Sequence, residues 1–344
     1  MTDLERNEPM ARVRMLDEAL VSSGMEAFPV LLTEELPPEA VRAFRNMFPN
    51  LNILPPHDQT VDGVIEAARN ARAVVVTVKY RLDRKFFQSL PGSVQIVALY
   101  SAGHDHVDIE AARERGVAVV KPGNVLADSV ADLAIALLLA TMRRLLDGVD
   151  LVRSGGWTGW SPTLLLGREL RGQVLGIYGM GNIGREVSTR AQAFGMNVAY
   201  KNRTPLPRDI EGGARFVADD KEFLGGCDVL LLSAASTPAT RVYLNAERIS
   251  WLKQGAIVLN VSRGDLIDDD ALIAALQSGD VAGAGLDVFN NEPALDERYL
   301  TLPSVVALPH IGSATLEART AMADSLVDGI ERILLGQTVA QQLA

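Results

Sequence analysis

Three polar residues of this 344-residue chain lie just past short apolar runs, a placement that suggests shared chemistry. Arg263 follows the run at 256–261, Glu292 follows 283–288, and His310 follows 305–308. Ligands of open α/β sheets collect beyond the carboxyl ends of strands, so residues at three such ends are expected to converge. A guanidinium, a carboxylate and an imidazole suit redox chemistry at a 2-oxo acid. Arginine grips a carboxylate with its planar fork and polarises the adjacent carbonyl. Histidine supplies a proton as hydride arrives, and glutamate holds and charges the histidine. Singly, each also has a plain structural reading: Arg263 pairing with Asp265, Glu292 capping a turn, His310 satisfied within a loop.

A second pattern is Gly179-Met180-Gly181-Asn182-Ile183-Gly184. It follows a strand-like run at 174–178 and opens a helical pattern, the context that makes G-x-G-x-x-G a dinucleotide fingerprint. Its glycines allow a tight turn and close approach of a pyrophosphate to helix N-terminal amides. The next strand-like run, 197–200, leads into Lys201-Asn202-Arg203-Thr204 without an Asp or Glu. An acid there would accept a bond from the adenine ribose of NAD. Arg203, with Lys201, instead suits the 2′-phosphate of NADP, unless the pair is only a solvated basic turn. NADP(H) is therefore the expected cofactor, with NAD(H) still possible.

The segment 101–108 holds His104, Asp105, His106 and Asp108, but their spacing fits no familiar zinc site. It reads as a strand-to-helix turn whose amides hold an anion. Asp268, Asp269 and Asp270 read as a helix start, where acids cap free amides and complement the dipole. No metal site is expected.

These residues need elements to carry them. Strand-like runs at 29–33, 51–54, 73–78, 94–99 and 117–120 form one set. A second set comprises 174–178, 197–200, 215–217, 228–232, 256–261, 283–288 and 305–308. Helical patterns at 40–47, 107–115, 129–146, 184–194, 246–251, 271–277 and 316–335 are interspersed among them. Strand–helix alternation of this kind predicts α/β architecture with two doubly wound parallel sheets. The final helix can return to the first set. The expected division is then 28–126 with 314–344, and 127–313, preceded by an N-terminal extension over 1–27.

Composition narrows the function. Hydrophobic residues make up 48% of the chain, enough for large cores, and the formal net charge is −10. That balance argues against a nucleic-acid surface or adhesion to an anionic membrane. The apolar stretch at 133–140 is far below the roughly 18 residues that span a bilayer. One cysteine, Cys227, excludes an intrachain disulfide and points to a reducing compartment, the cytoplasm.

Together these motifs resemble the D-isomer-specific 2-hydroxyacid dehydrogenases, from about Phe28 to the C-terminus. The resemblance rests on the glycine loop, on residues 260–268, on 285–289 with Glu292-Pro293, and on 309–314. It implies a Rossmann dinucleotide-binding domain over 127–313, which includes a dimerisation helix and loop, and a flavodoxin-like substrate domain. It implies that Arg263, Glu292 and His310 are catalytic, and that Val78 and the amides around Ala102-Gly103 also meet the substrate. Val261, Asp287 and Gly312 would border the cofactor, Asp287 near its nicotinamide end. Segments 125–132 and 157–162 look most like the glyoxylate/hydroxypyruvate reductases. In those, a tryptophan of the partner subunit reaches the substrate pocket, here Trp160 or, as second choice, Trp157. The implied activity is hydride transfer from NADPH to glyoxylate or hydroxypyruvate, giving glycolate or D-glycerate, in a homodimer. Two alternatives are an NAD-dependent dehydrogenase of other D-2-hydroxy acids and a non-catalytic dinucleotide-sensing scaffold. His106 departs from the asparagine common in relatives.

Overall fold

A computed structural model describes residues 28–344; the extension expected over 1–27 lies outside the described residues. The chain divides into two compact units, one ending at Leu126 and resuming at Thr315–Ala344, the other spanning Ala127–Ala314.

In the first unit, five strands form one parallel sheet in the order β2-β1-β3-β4-β5. They are β1 (Val30–Leu32), β2 (Leu51–Ile53), β3 (Ala73–Val76), β4 (Ile96–Leu99) and β5 (Ala118–Val120). β1, β3 and β4 are buried along their whole length, as strands covered on both faces must be. Helices α1 (Pro38–Met47), α2 (Val61–Ala67), α3 (Arg84–Ser89) and α4 (Ile109–Arg115) connect them. Pro38 opens α1 where its missing N–H costs nothing. Asp108 caps α4 by accepting from the Ala111 amide, and Gly116 ends it in the left-handed region. The last helix, α11 (Leu316–Leu334), packs on α1 and against β4 and β5 through a buried stripe that includes Met322, Leu326 and Ile330.

The second unit holds a seven-stranded parallel sheet ordered β12-β11-β10-β9-β6-β7-β8. Its strands are β6 (Val174–Tyr178), β7 (Asn197–Lys201), β8 (Arg215–Phe216), β9 (Val229–Leu232), β10 (Ala256–Asn260), β11 (Val281–Leu286) and β12 (Val305–Ala307). The order reverses between β6 and β9, the place where doubly wound sheets open a crevice. The remaining helices are α5 (Ala127–Met142), α6 (Leu145–Arg153), α7 (Asn182–Ala193), α8 (Asp220–Gly226), α9 (Ala246–Ile249) and α10 (Asp269–Ser278).

The single helix expected over 129–146 is two. The Met142 carbonyl, which would continue the ladder, accepts from the Arg168 amide instead. Arg144 then turns into the left-handed region at φ 53 and its guanidinium holds Asp147 at 2.7 Å, starting α6. α5 is strongly apolar and buries Val130, Ala134, Leu137 and Leu138, leaving Asp128 and Asp132 exposed near its start. Asp268 caps α10 through the Ala271 amide.

Packing beneath β6 is close enough to be tested. A Cβ at Gly176 would lie 2.0 Å from Cys227 Sγ and 3.2 Å from the Phe223 ring. Cys227 is buried, which pushes its thiol up to about 12 and leaves it unreactive. Gly176→Ala should destabilise the unit by about 1–3 kcal/mol through overpacking. Adding Cys227→Ala should recover part of that loss, so the double mutant is more stable than the sum of the singles. Strict additivity in denaturant titrations would show that the two residues do not compete for the same space.

Candidate active site

The glycine loop lies at the sheet's switch point. Gly179 has φ +95, and a Cβ there would fall 2.4 Å from the backbone of Ala234, where the chain leaves β9. Gly184 is confined in the same way, 2.9 Å from the Gly179 carbonyl. Gly181 differs: a Cβ there would meet nothing within 4 Å. The protein's own packing therefore gives no reason for glycine at 181, whereas close approach of a ligand does. Gly181 is also the N-cap of α7 and offers no side-chain cap, so the first-turn amides keep their capacity for an anion. The loop thus fits a dinucleotide diphosphate.

The end of β7 separates residues that were expected to act together. Asn202 does not project freely towards a ribose. Its Oδ1 accepts from the Met180 amide at 2.7 Å and its Nδ2 donates to the Met180 carbonyl at 3.3 Å, so it fastens the glycine loop. Lys201 is drawn aside, bonded to the Ala218 carbonyl and 3.2 Å from Asp220. Asp220 also accepts from Tyr243 Oη and pairs with Arg248. Burial pushes the Asp220 carboxyl up, but bonds from Tyr243 and Lys201 and the charges of Lys201 and Arg248 outweigh it and hold it below the usual value. Lys201 is therefore compensated and cannot serve as the second cation. Arg203 and Thr204 are exposed, and Arg203 has no ion pair among the described residues.

Beyond the sheet's other carboxyl ends, backbone and buried polar groups fix three side chains. At the end of β10, Asn260 is fully buried; its Oδ1 accepts from the Ser262 amide and its Nδ2 donates to the Arg263 carbonyl at 2.8 Å. That turn presents Arg263, with Val261 buried just before it. Gly264 follows because a Cβ there would lie 1.9 Å from the Phe289 carbonyl carbon, so the chain after β10 touches the chain after β11. In the latter, Glu292 Oε1 accepts from the Phe289 amide at 2.8 Å, and Oε2 lies 2.7 Å from His310 Nδ1. Burial pushes the Glu292 carboxyl up, but the bonds from His310 and Phe289 and the charges of His310 and Arg263 prevail and hold it low. Glu292 is thus an anion that orients the imidazole.

The two oxygens of Asp287 are committed to the amides of Ile311, at 2.8 Å, and Gly312, at 2.7 Å. Asp287 positions the segment that carries His310, and the Gly312 amide is spent in doing so. Asn260, Gly264 and this role of Asp287 were not read from the sequence; the signal was the crowding of small and amide residues directly after β10 and β11.

In the first unit, Val78 is half-exposed after β3 and Ala102 is exposed after β4. Ser101 Oγ donates to the Gly103 carbonyl at 2.8 Å, and Lys121 Nζ reaches the Ala102 carbonyl. Because Asp108 already caps α4, an anion at Ala102-Gly103 would meet loop amides and not a helix N-terminus. In the second unit, a 270 Å³ pocket adjoins His310 and Glu292, with Phe289, Leu295, Leu300 and Leu308 among its apolar walls. Trp160 is 82% exposed, while the Trp157 indole donates to the Gly159 carbonyl. Among the described residues no group of His, Cys, Asp and Glu could hold a metal, and no helix is long and apolar enough to cross a membrane.

Comparison with known proteins places this geometry. Residues 135–312 match the family described as D-isomer specific 2-hydroxyacid dehydrogenase, NAD binding domain. A glyoxylate reductase of Thermococcus onnurineus is 39% identical over 300 residues, covering 86% of this chain and 89% of that protein. A glycerate dehydrogenase of Hyphomicrobium methylovorum is 35% identical over 317 residues, covering 92% and 98%. The crystal structure of an NADPH-dependent glyoxylate/hydroxypyruvate reductase from Sinorhizobium meliloti, in complex with NADP and malonate, matches with a TM-score of 0.80 at 32% identity, covering 92% of this chain and 97% of that one. A family matched over half the chain, and relatives 35–39% identical over most of both chains, lead to one conclusion: the chain belongs to the D-isomer-specific 2-hydroxyacid dehydrogenases.

Proposed function

We propose that the protein reduces small 2-oxo acids, glyoxylate and hydroxypyruvate first, using NADPH. The observation that carries this reading is the 2.7 Å bond between His310 Nδ1 and Glu292, formed at strand ends that also present Arg263. That bond leaves Nε2 of the imidazole to face a substrate. When bound, the reduced dinucleotide supplies the hydride. Arg263 grips the substrate carboxylate and draws electron density from the neighbouring carbonyl. His310 delivers the proton from Nε2 to the carbonyl oxygen, and Glu292 stabilises the charged imidazole before the transfer. Val78, Ala102 and Gly103 complete this reading as substrate contacts of the first unit. The names of the Thermococcus, Hyphomicrobium and Sinorhizobium relatives support the substrate class.

The choice of NADPH rests on Arg203, an exposed cation without a partner among the described residues and with no acid beside it. A homodimer belongs to the same reading. Leu145, Leu146, Val152, Trp160 and Leu166 expose apolar surface over α6 and the loop that follows, and Trp160 of a second copy suits the 270 Å³ pocket beside His310. A buried single cysteine suits a cytoplasmic location.

His310→Gln should lower kcat by about 10²–10⁴ while dinucleotide affinity, read by fluorescence titration, stays unchanged. A variant with near-normal kcat would remove His310 from proton transfer.

Arg203→Ala should cost roughly tenfold or more in NADPH affinity and leave NADH unaffected, because a charged hydrogen bond of about 1.5–3 kcal/mol is lost from one cofactor only. Asn202→Asp should weaken both, since a carboxylate oxygen would then oppose the Met180 carbonyl. Equal kcat/KM for NADH and NADPH in the wild type at low salt would refute the role of Arg203.

Trp160→Ala should admit bulkier 2-oxo acids without unfolding the unit. An unchanged ranking across a panel of 2-oxo acids would contradict its place in the pocket.

A further inference from the structure

Five residues apart on α7, two arginines are treated in opposite ways. Arg190 is held by three carboxylates: Glu186 at 2.7 Å, Asp128 at 2.9 Å and Asp132 at 2.7 Å. These bonds tie α7 to α5, so Arg190 is a structural clamp with its charge fully compensated. Arg185 has no carboxylate. Its Nη2 donates to Asn182 Oδ1 at 2.6 Å, which folds the guanidinium back one turn towards the helix start, against a neutral amide. Among the described residues it makes no ion pair.

That placement works against the helix. The N-terminus of a helix carries partial positive charge, so a cation bent back over it is repelled. Asn182 is the first residue after the glycine N-cap, and its amide and those of Ile183 and Gly184 have no side-chain cap. The position thus concentrates free N–H donors, dipole and a full positive charge that no carboxylate among the described residues pairs with. Gly181, whose Cβ would meet nothing within 4 Å, leaves the approach to these donors open. A sequence that breaks a local electrostatic rule without an internal compensation is expected to do so where a ligand supplies it.

We propose that Arg185 is a dinucleotide-binding residue that acts on the diphosphate, and therefore on NADPH and NADH alike. This rests on the reading of the glycine loop as the cofactor site. The two uncompensated cations then divide the work. Arg203 distinguishes the cofactors through the phosphate that one of them lacks, and Arg185 strengthens the part they share. A guanidinium is the suitable group, because its fork bonds two phosphate oxygens while Asn182 holds its orientation.

The test is equilibrium binding of NADPH, NADH and ADP at low salt to the wild type, Arg185→Gln, Arg185→Lys and Arg203→Ala. Arg185→Gln is expected to weaken all three ligands by about tenfold, the size of one charge-assisted bond. Arg185→Lys should recover only part of the affinity, since the charge remains but the fork does not. Arg203→Ala should weaken NADPH alone. NADH and ADP binding to Arg185→Gln as tightly as to the wild type would overturn the proposal. So would a loss that Arg185→Lys fails to restore even in part and that comes with a lower Tm of the ligand-free protein, which would assign Arg185 to structure. A wild type that binds neither dinucleotide would remove the cofactor reading itself, and this proposal with it.

Discussion

Asp287 is 1% exposed, accepts amide bonds from Ile311 and Gly312 on its two oxygens, and offers its carbonyl to the His310 amide. The segment bearing His310 therefore closes onto the end of β11 through three bonds to one residue. His310 itself has φ 55, a backbone conformation that a non-glycine residue holds only when its surroundings insist. Without that anchoring, the imidazole would not meet Glu292 at hydrogen-bond distance.

The two carboxylates of this region are pushed in opposite directions. Burial raises Asp287 above the ordinary aspartate value, against its two amide bonds and the charge of His310. Glu292 is held below the ordinary glutamate value. By linkage, the stability associated with Asp287 is present below its unfolded value and lost as pH rises through its folded one. That associated with Glu292 is present above its unfolded value and lost as pH falls through its folded one. Environments that separate neighbouring titratable groups in this way let one stay an anion partner while the other remains a structural link. The same economy governs three cations of the second unit: Lys201, Arg190 and Arg248 each meet carboxylates.

Strands were legible because long apolar, β-branched runs between turn residues have few other uses in a parallel sheet. All twelve strands follow the expected runs, with differences of one or two residues at most ends. The short helices α2, α3, α6 and α8 were not foreseen. They run from six to nine residues, too short for periodicity to stand out, and are held by packing and by caps such as Thr60, Asp83 and Asp219. In the site, chain order alone indicated which residues stand at strand ends. It could not show which neighbours consume them. Lys201 meets Asp220, Asn202 meets Met180 and Asp287 meets Ile311 across gaps of about twenty residues or more, and such pairings depend on sheet order and not on local pattern.

The first unit is assembled from two stretches of chain with the whole second unit encoded between them. During synthesis, β1 to β5 leave the ribosome without α11, the helix that covers α1, β4 and β5. The second unit, continuous in sequence, is complete before that cover is made. Translation order thus makes the dinucleotide-type sheet the earlier one to mature and keeps the other waiting with an apolar face exposed, the period in which a nascent chain depends most on chaperones.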